Sequence, residues 1–112
     1  MNHGLSQRDL DEIVKALQAF PEIEAAILFG SRAKGNYKPG SDVDIAIKGR
    51  AIEHVCVAGL SYILNEESLL PFYFDIVHFE QISERALLEH IERVGMPIYE
   101  RKKDDPAAAS GR

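Results

Sequence analysis

The apolar residues of the chain change rhythm along its length, and each rhythm predicts an element. Leu10, Ile13, Val14 and Leu17 recur three and four residues apart, which predicts a helix with one apolar face. Ser6 stands where an N-cap belongs, Asp9 completes a capping-box pattern, and Leu5 and Leu10 are spaced as a hydrophobic staple. Pro21 ends this helix near Phe20. Ala25 to Phe29 is almost unbroken apolar sequence, the mark of a strand buried on both faces, and Gly30 interrupts it. Asn36 to Ser41, with Pro39-Gly40 inside it, is a turn into a second strand from Asp42 to Ile47. So short a link has no room for a crossover helix, so the first two strands should be antiparallel.

Helical spacing returns at Ile52, Val55, Cys56, Leu60, Ile63 and Leu64, interrupted only by the small Gly59, with His54 beside the stripe and on the surface. Phe72 to Phe79, FYFDIVHF, predicts a third strand, parallel to the second because a helix lies between them. Ser83 is placed to cap a last helix, with Ile82 and Leu87 as its staple and Leu87, Leu88, Ile91 and Val94 as its core face. Gly95 suits the end of that helix, and Met96 to Tyr99 can add a short terminal strand. Residues 101 to 112, charged and then rich in Pro, Ala, Ser and Gly, are expected to be disordered. The sum is one small α/β domain over residues 1 to 100, a mixed sheet of core order 1-2-3 flanked by helices, with no internal repeat.

Composition narrows the function classes without naming one. A net charge of −5 argues against a broad nucleic-acid surface, which needs clustered positive charge. There is no apolar run of transmembrane length and no signal peptide, so no membrane association is expected. Cys56, the single cysteine, excludes an internal disulfide and lies on the apolar stripe, which makes it a core residue rather than a nucleophile. A cytoplasmic location follows as the economical expectation.

The candidate chemistry lies between Leu28 and Ile47, LFGSRAKGNYKPGSDVDIAI. Ten residues separate Gly30-Ser31 from Asp42-x-Asp44. Strand alternation puts Asp42 and Asp44 on one face with Cα atoms roughly 7 Å apart, while Val43, Ile45 and Ile47 take the other. Carboxylates this close repel unless a cation sits between them, and hard oxygen donors suit Mg²⁺ or Mn²⁺. Gly30 lets backbone approach a phosphate, Ser31 offers a hydroxyl and an N–H, and Arg32, Lys34 and Lys38 add positive charge. Asp75 stands among apolar neighbours in the third strand, where a buried carboxylate is costly unless paired or metal-bound, which marks it as functional. The plainer alternative is an exposed aspartate on an edge strand. His78, three residues on, falls on the opposite face of an ideal strand and is not a ligand. Taken singly, Asp-x-Asp is more often a solvated edge and Gly-Ser only a turn. Other phosphate loops do not fit: Gly30 and Gly35 have the Walker spacing, but Asn36-Tyr37 follows, and no G-x-G-x-x-G is present.

Taken together, Gly30-Ser31, the ten-residue gap, Asp42-x-Asp44 and the YFDIV around Asp75 resemble the active-site signature of the polymerase-beta-type nucleotidyltransferase superfamily. The wider context, from Leu10 to Glu100, resembles its minimal branch, the partners of HEPN-domain proteins in prokaryotic toxin and antitoxin pairs. The resemblance implies that Asp42, Asp44 and Asp75 are catalytic and hold two Mg²⁺ ions, or Mn²⁺. Asp42 and Asp44 would take the ion that carries ATP, with Gly30, Ser31 and Arg32 at the phosphates. Asp75 would complete the second site, where an acceptor hydroxyl attacks the α-phosphorus. Larger relatives append a helical domain that grips the acceptor, whereas this sequence ends just past the catalytic core, so the acceptor is expected from elsewhere. The branch implies an antitoxin that transfers AMP to a tyrosine of a HEPN-type RNase toxin. A neutralising binding module without catalysis, and transfer to a small molecule such as an aminoglycoside, are the alternatives.

Overall fold

The computed structural model describes residues 3–101, so of the tail expected to be disordered, residues 102–112 lie outside the described residues, while the Arg101 N–H donates to the Glu24 carbonyl at 2.8 Å. Helix α1 (Gln7–Gln18) opens as its sequence requires. The Asp9 N–H donates to Ser6 Oγ at 3.0 Å, and the Ser6 N–H donates to Asp9 Oδ2 at 2.9 Å. This reciprocal cap satisfies two N–H groups that a helix start otherwise leaves unpaired, and is worth about 1 kcal/mol. The helix buries Ile13 and Leu17 completely.

Strands β1 (Ala25–Phe29), β2 (Val43–Lys48), β3 (Phe74–His78) and β4 (Met96–Glu100) form one sheet in the order β3-β2-β1-β4. β1 is antiparallel to β2 and to β4, while β2 and β3 are parallel. The expected core order and both expected pairings are therefore present, and β4 takes the remaining edge of β1. Strand β3 is shorter than the apolar run suggests, since Phe72 and Tyr73 belong to its approach. Asp42 likewise precedes β2 instead of opening it.

Period-two alternation gives the sheet two faces. On one, Ala26, Leu28, Val43, Ile45, Ile47 and Phe74 pack with Ile13 and Leu17 of α1 and with Cys56 and Leu60 of helix α3 (His54–Tyr62). On the other, Phe29 and Ala46 meet Ile91 of helix α4 (Arg85–Val94), with Ile27, Val77, Ile82 and Leu87 around them. The remaining helix, α2 (Gly30–Lys34), is a single short turn that follows β1 directly.

Two helix expectations are corrected. α3 begins at His54 instead of Ile52, runs on into a π-helical turn over Ile63–Glu67, and leaves Val55 70% exposed. Its sequence, HVCVAGLSY, is apolar on both sides, so spacing alone does not choose which side meets the sheet. Ser83 does not cap α4. Glu84 takes the N-cap position without a side-chain bond, because a 3₁₀ turn over Phe79–Gln81 and an extended Ile82 carry the chain further before the helix starts. Ile82 and Leu87 nevertheless pack into the same cluster.

Candidate active site

The carboxylates are placed by strand register. Asp44 of β2 is the partner of Asp75 in β3 and of Phe29 in β1, so one rung of the sheet reads Phe29, Asp44, Asp75. This rung lies where β1 ends and β2 and β3 begin. Asp42, two residues before Asp44, falls on the same face of the pleat, the face that α4 covers further along. Asp44 is half-buried, while Asp42 and Asp75 are exposed. Asp75 thus lies on an edge strand in open solvent, and the expectation of a buried, costly carboxylate is overturned. β3 has one neighbour only, and α4 reaches Val77 but leaves the start of the strand bare. What distinguishes Asp75 is its place beside Asp44.

The clustering has an electrostatic consequence. The Asp44 carboxyl is pushed up from 3.8 to about 6, first by burial, then by the Asp75 charge, then by Asp42. Among the described residues no ion pair reaches any of the three, and no group of three acidic, imidazole or thiol side chains is already drawn together as a metal cage. The donor set fits a hard divalent cation nonetheless: only oxygens, uncompensated negative charge, and a half-buried central member whose ionised form lacks a counter-charge. Asp42, Asp44 and Asp75 are the residues that would hold such an ion.

Gly30 closes this site from the β1 side. Its φ is +77°, and a Cβ placed on it would overlap the Asp44 carboxylate, so only glycine brings the backbone this near. The Gly30 N–H donates to Nε2 of His90 at 3.0 Å. His90 projects from α4 and sets its ring edge-on to Phe29, centroids 6.2 Å apart and planes at 79°. Sequence reasoning missed His90, although a signal was there: it lies three residues after Leu87 and one before Ile91, a polar ring on the side of α4 that turns toward the sheet. Ser31 follows Gly30 and is half-buried at the start of α2.

Over residues 11–104 the sequence matches the family described as Polymerase beta, Nucleotidyltransferase. The chain belongs to the polymerase beta nucleotidyltransferase family. Solved structures resemble it in fold at low identity. A toxin-antitoxin crystal structure with AMP-PNP superposes with a TM-score of 0.69 at 24% identity, covering 91% of this chain and 82% of that one. The toxin-antitoxin pair MntA-HepT gives 0.64 at 22% identity over 94% and 82%. A mutant of an MntA toxin-antitoxin complex, with glutamate replacing two aspartates two positions apart, gives 0.67 at 22% identity over 90% and 82%. No curated protein sequence matches.

Arg32 of this nucleotidyltransferase is not where the sequence suggests. It is buried, 3% exposed, with Nε and Nη2 donating to the Ser41 carbonyl at 3.2 and 3.0 Å and Nη1 donating to the His3 carbonyl at 3.1 Å. Its guanidinium lies over the rings of Tyr37 and Phe72, each centroid 4.9 Å away. These bonds engage the guanidinium with the loop itself: Ser41 immediately precedes Asp42. The nearby Lys34 and Lys38 are exposed. In a loop with three cations, Arg32 reads from sequence as an anion ligand, and nothing local announces that Phe72, forty positions away, covers it.

His78 takes the other face of β3, its Nε2 3.2 Å from Glu80 Oε1 and apart from the carboxylates. Cys56 is buried in the core as expected, and burial, helped by Glu22, pushes its thiol up to about 11, which keeps it protonated and unreactive.

Proposed function

We propose that this nucleotidyltransferase uses Mg²⁺ or Mn²⁺ to move AMP from ATP to a tyrosine hydroxyl of a HEPN-type RNase toxin in the cytoplasm, and so acts as its antitoxin. The observation that carries the reading is the rung in which Asp44 and Asp75 are register partners, with Asp42 on the same face and Gly30 packed against Asp44. It places three oxygen donors beside a backbone segment that can approach a phosphate. Several fold neighbours support the partner, since they are toxin-antitoxin complexes, one of them with an adenine nucleotide analogue. The mutant complex, altered at two aspartates two positions apart, parallels the spacing of Asp42 and Asp44.

In this mechanism Gly30 and Ser31 receive the outer phosphates of ATP, and Asp42 and Asp44 would hold the divalent ion that neutralises them. Divalent ions held by the three aspartates would supply charge stabilisation to the attacking and leaving oxygens of an in-line displacement. Asp75, exposed on the edge strand, receives the incoming hydroxyl and takes its proton. The tyrosine oxygen then bonds to the α-phosphorus as the bond to the bridging oxygen breaks, and pyrophosphate leaves. Exposure of Asp75 suits an acceptor carried on another protein, because β3 offers it a free edge instead of an enclosed pocket.

Incubation of the chain with α-labelled ATP, Mg²⁺ and a HEPN-type toxin tests the reading. Label should appear on a toxin tyrosine, and the toxin should stay inactive after this chain is removed. A neutralising module without catalysis gives the opposite pattern: no label, full neutralisation by an Asp42→Asn, Asp44→Asn double variant, and recovery of the toxin on separation.

A further inference from the structure

We propose that His90 is a positioning residue for the nucleotide site, which holds the Gly30 peptide against the Asp44 carboxylate; the role rests on the transferase reading above. Gly30 is the first residue past the end of β1, and its N–H has left the ladder with β2 and β4. At the start of a helix such an N–H has no intrahelical acceptor. Here the acceptor comes from sixty residues away, His90 Nε2 at 3.0 Å. For Nε2 to accept, the proton of the neutral ring must sit on Nδ1.

The ring is held from two sides. Its edge-on contact with Phe29 fixes its plane, and its neighbour Ile91, 3% exposed, anchors that turn of α4 in the second cluster. Phe29 and Gly30 are the two residues whose shared peptide carries the bonded N–H, so His90 touches the Phe29 side chain with its ring and the following peptide N–H with its nitrogen. That peptide sets how close Gly30 comes to Asp44, an approach that a Cβ would already obstruct. A half-buried imidazole is favourable only when its polar atoms are satisfied, and the bond it makes is to the loop that meets the phosphates. α4 therefore sets the phosphate loop as well as covering the sheet.

The test uses the full chain and MgATP, measured by titration calorimetry beside a thermal melt of each variant. H90F keeps a ring against Phe29 and removes the acceptor, whereas H90Q replaces Nε2 with an amide oxygen at similar reach. H90F should weaken MgATP binding on the order of five- to tenfold, the effect of losing one hydrogen bond to a binding loop. H90Q should stay within about twofold of wild type on the same scale. A packing role alone would leave nucleotide affinity untouched in both folded variants, whatever their melting temperatures, and that result overturns the proposal. Wild-type protein offers a measurement that needs no variant: ¹⁵N NMR should find His90 in the Nδ1–H form with the Gly30 amide protected from exchange, and an Nε2–H ring overturns the role. Failure of wild type to bind MgATP would remove the transferase reading and this role with it, while normal binding by folded H90F removes this role alone.

Discussion

Asp44 and Asp75 face each other as register partners across the parallel β2–β3 pair. Neighbouring strands lie about 4.8 Å apart, so the two carboxylates stand side by side with Asp42 on the same face, and no cationic side chain among the described residues pairs with them. Local order is being maintained against electrostatic repulsion. That arrangement makes sense for a site that receives its positive charge from outside.

The repulsion should be measurable without any ligand. Because the Asp44 carboxyl is raised from 3.8 to about 6, the folded state holds this proton more tightly than the unfolded chain does. The associated stability is complete below pH 3.8 and is lost as pH rises through about 6. Asp44→Asn removes that loss. With chelator present, its melting temperature should exceed that of wild type above about pH 7, and the two should converge below about pH 4. A wild-type advantage at neutral pH would show that Asp44 is not repelled by its neighbours.

Adding Mg²⁺ or Mn²⁺ with ATP should raise the melting temperature of wild type, since a ligand that binds only the native state stabilises it. The response should vanish in a folded Asp42→Asn, Asp44→Asn double variant, whose amides offer no charge to hold an ion. Titration of metal and nucleotide together in a thermal shift series checks this, and an undiminished shift in the double variant would remove the assignment of these residues.

Asp75→Asn separates the two halves of the site. Exposed on the edge strand, Asp75 should matter to the acceptor more than to the nucleotide. The variant should retain MgATP binding but transfer AMP about a hundredfold more slowly, the scale expected when a general base is lost. Transfer at the normal rate would leave Asp75 as a surface residue of β3.

Much of this was legible because it depends on local pattern. The capping box at Ser6 and Asp9, the antiparallel hairpin through Pro39-Gly40 and the parallel return to β3 each follow from spacing, and they bring Asp42, Asp44 and Asp75 to one end of one face. Depth was not legible. The apolar neighbours of Asp75 in FYFDIVHF read as burying it, but burial of a strand residue depends on what covers its face, and α4 does not extend over the start of β3. Helix rotation was equally hidden at Val55, since α3 is apolar on both sides. His90 went unread, and Arg32 was read only as a phosphate ligand, for a common reason. Their partners, Gly30 and Phe72, are sixty and forty positions away and meet them only through tertiary packing.

Arg32 offers the sharpest separation between what the sequence suggests and what the geometry supports. As a phosphate ligand, its charge would matter and its shape would matter less. As a clamp, its planar fork must reach the Ser41 carbonyl with two donors and the His3 carbonyl with a third while lying between two rings. Lysine keeps the charge but has neither the fork nor the stacking plane. Arg32→Lys should therefore destabilise the fold by about 2 kcal/mol, the scale of leaving buried carbonyls without donors, and chemical denaturation measures it directly. Loosening Ser41 frees Asp42 beside it, so metal-dependent ATP binding should weaken in the same variant. If Arg32→Lys instead keeps full stability and loses only nucleotide affinity, the guanidinium reaches a phosphate after all, and the clamp is not its role.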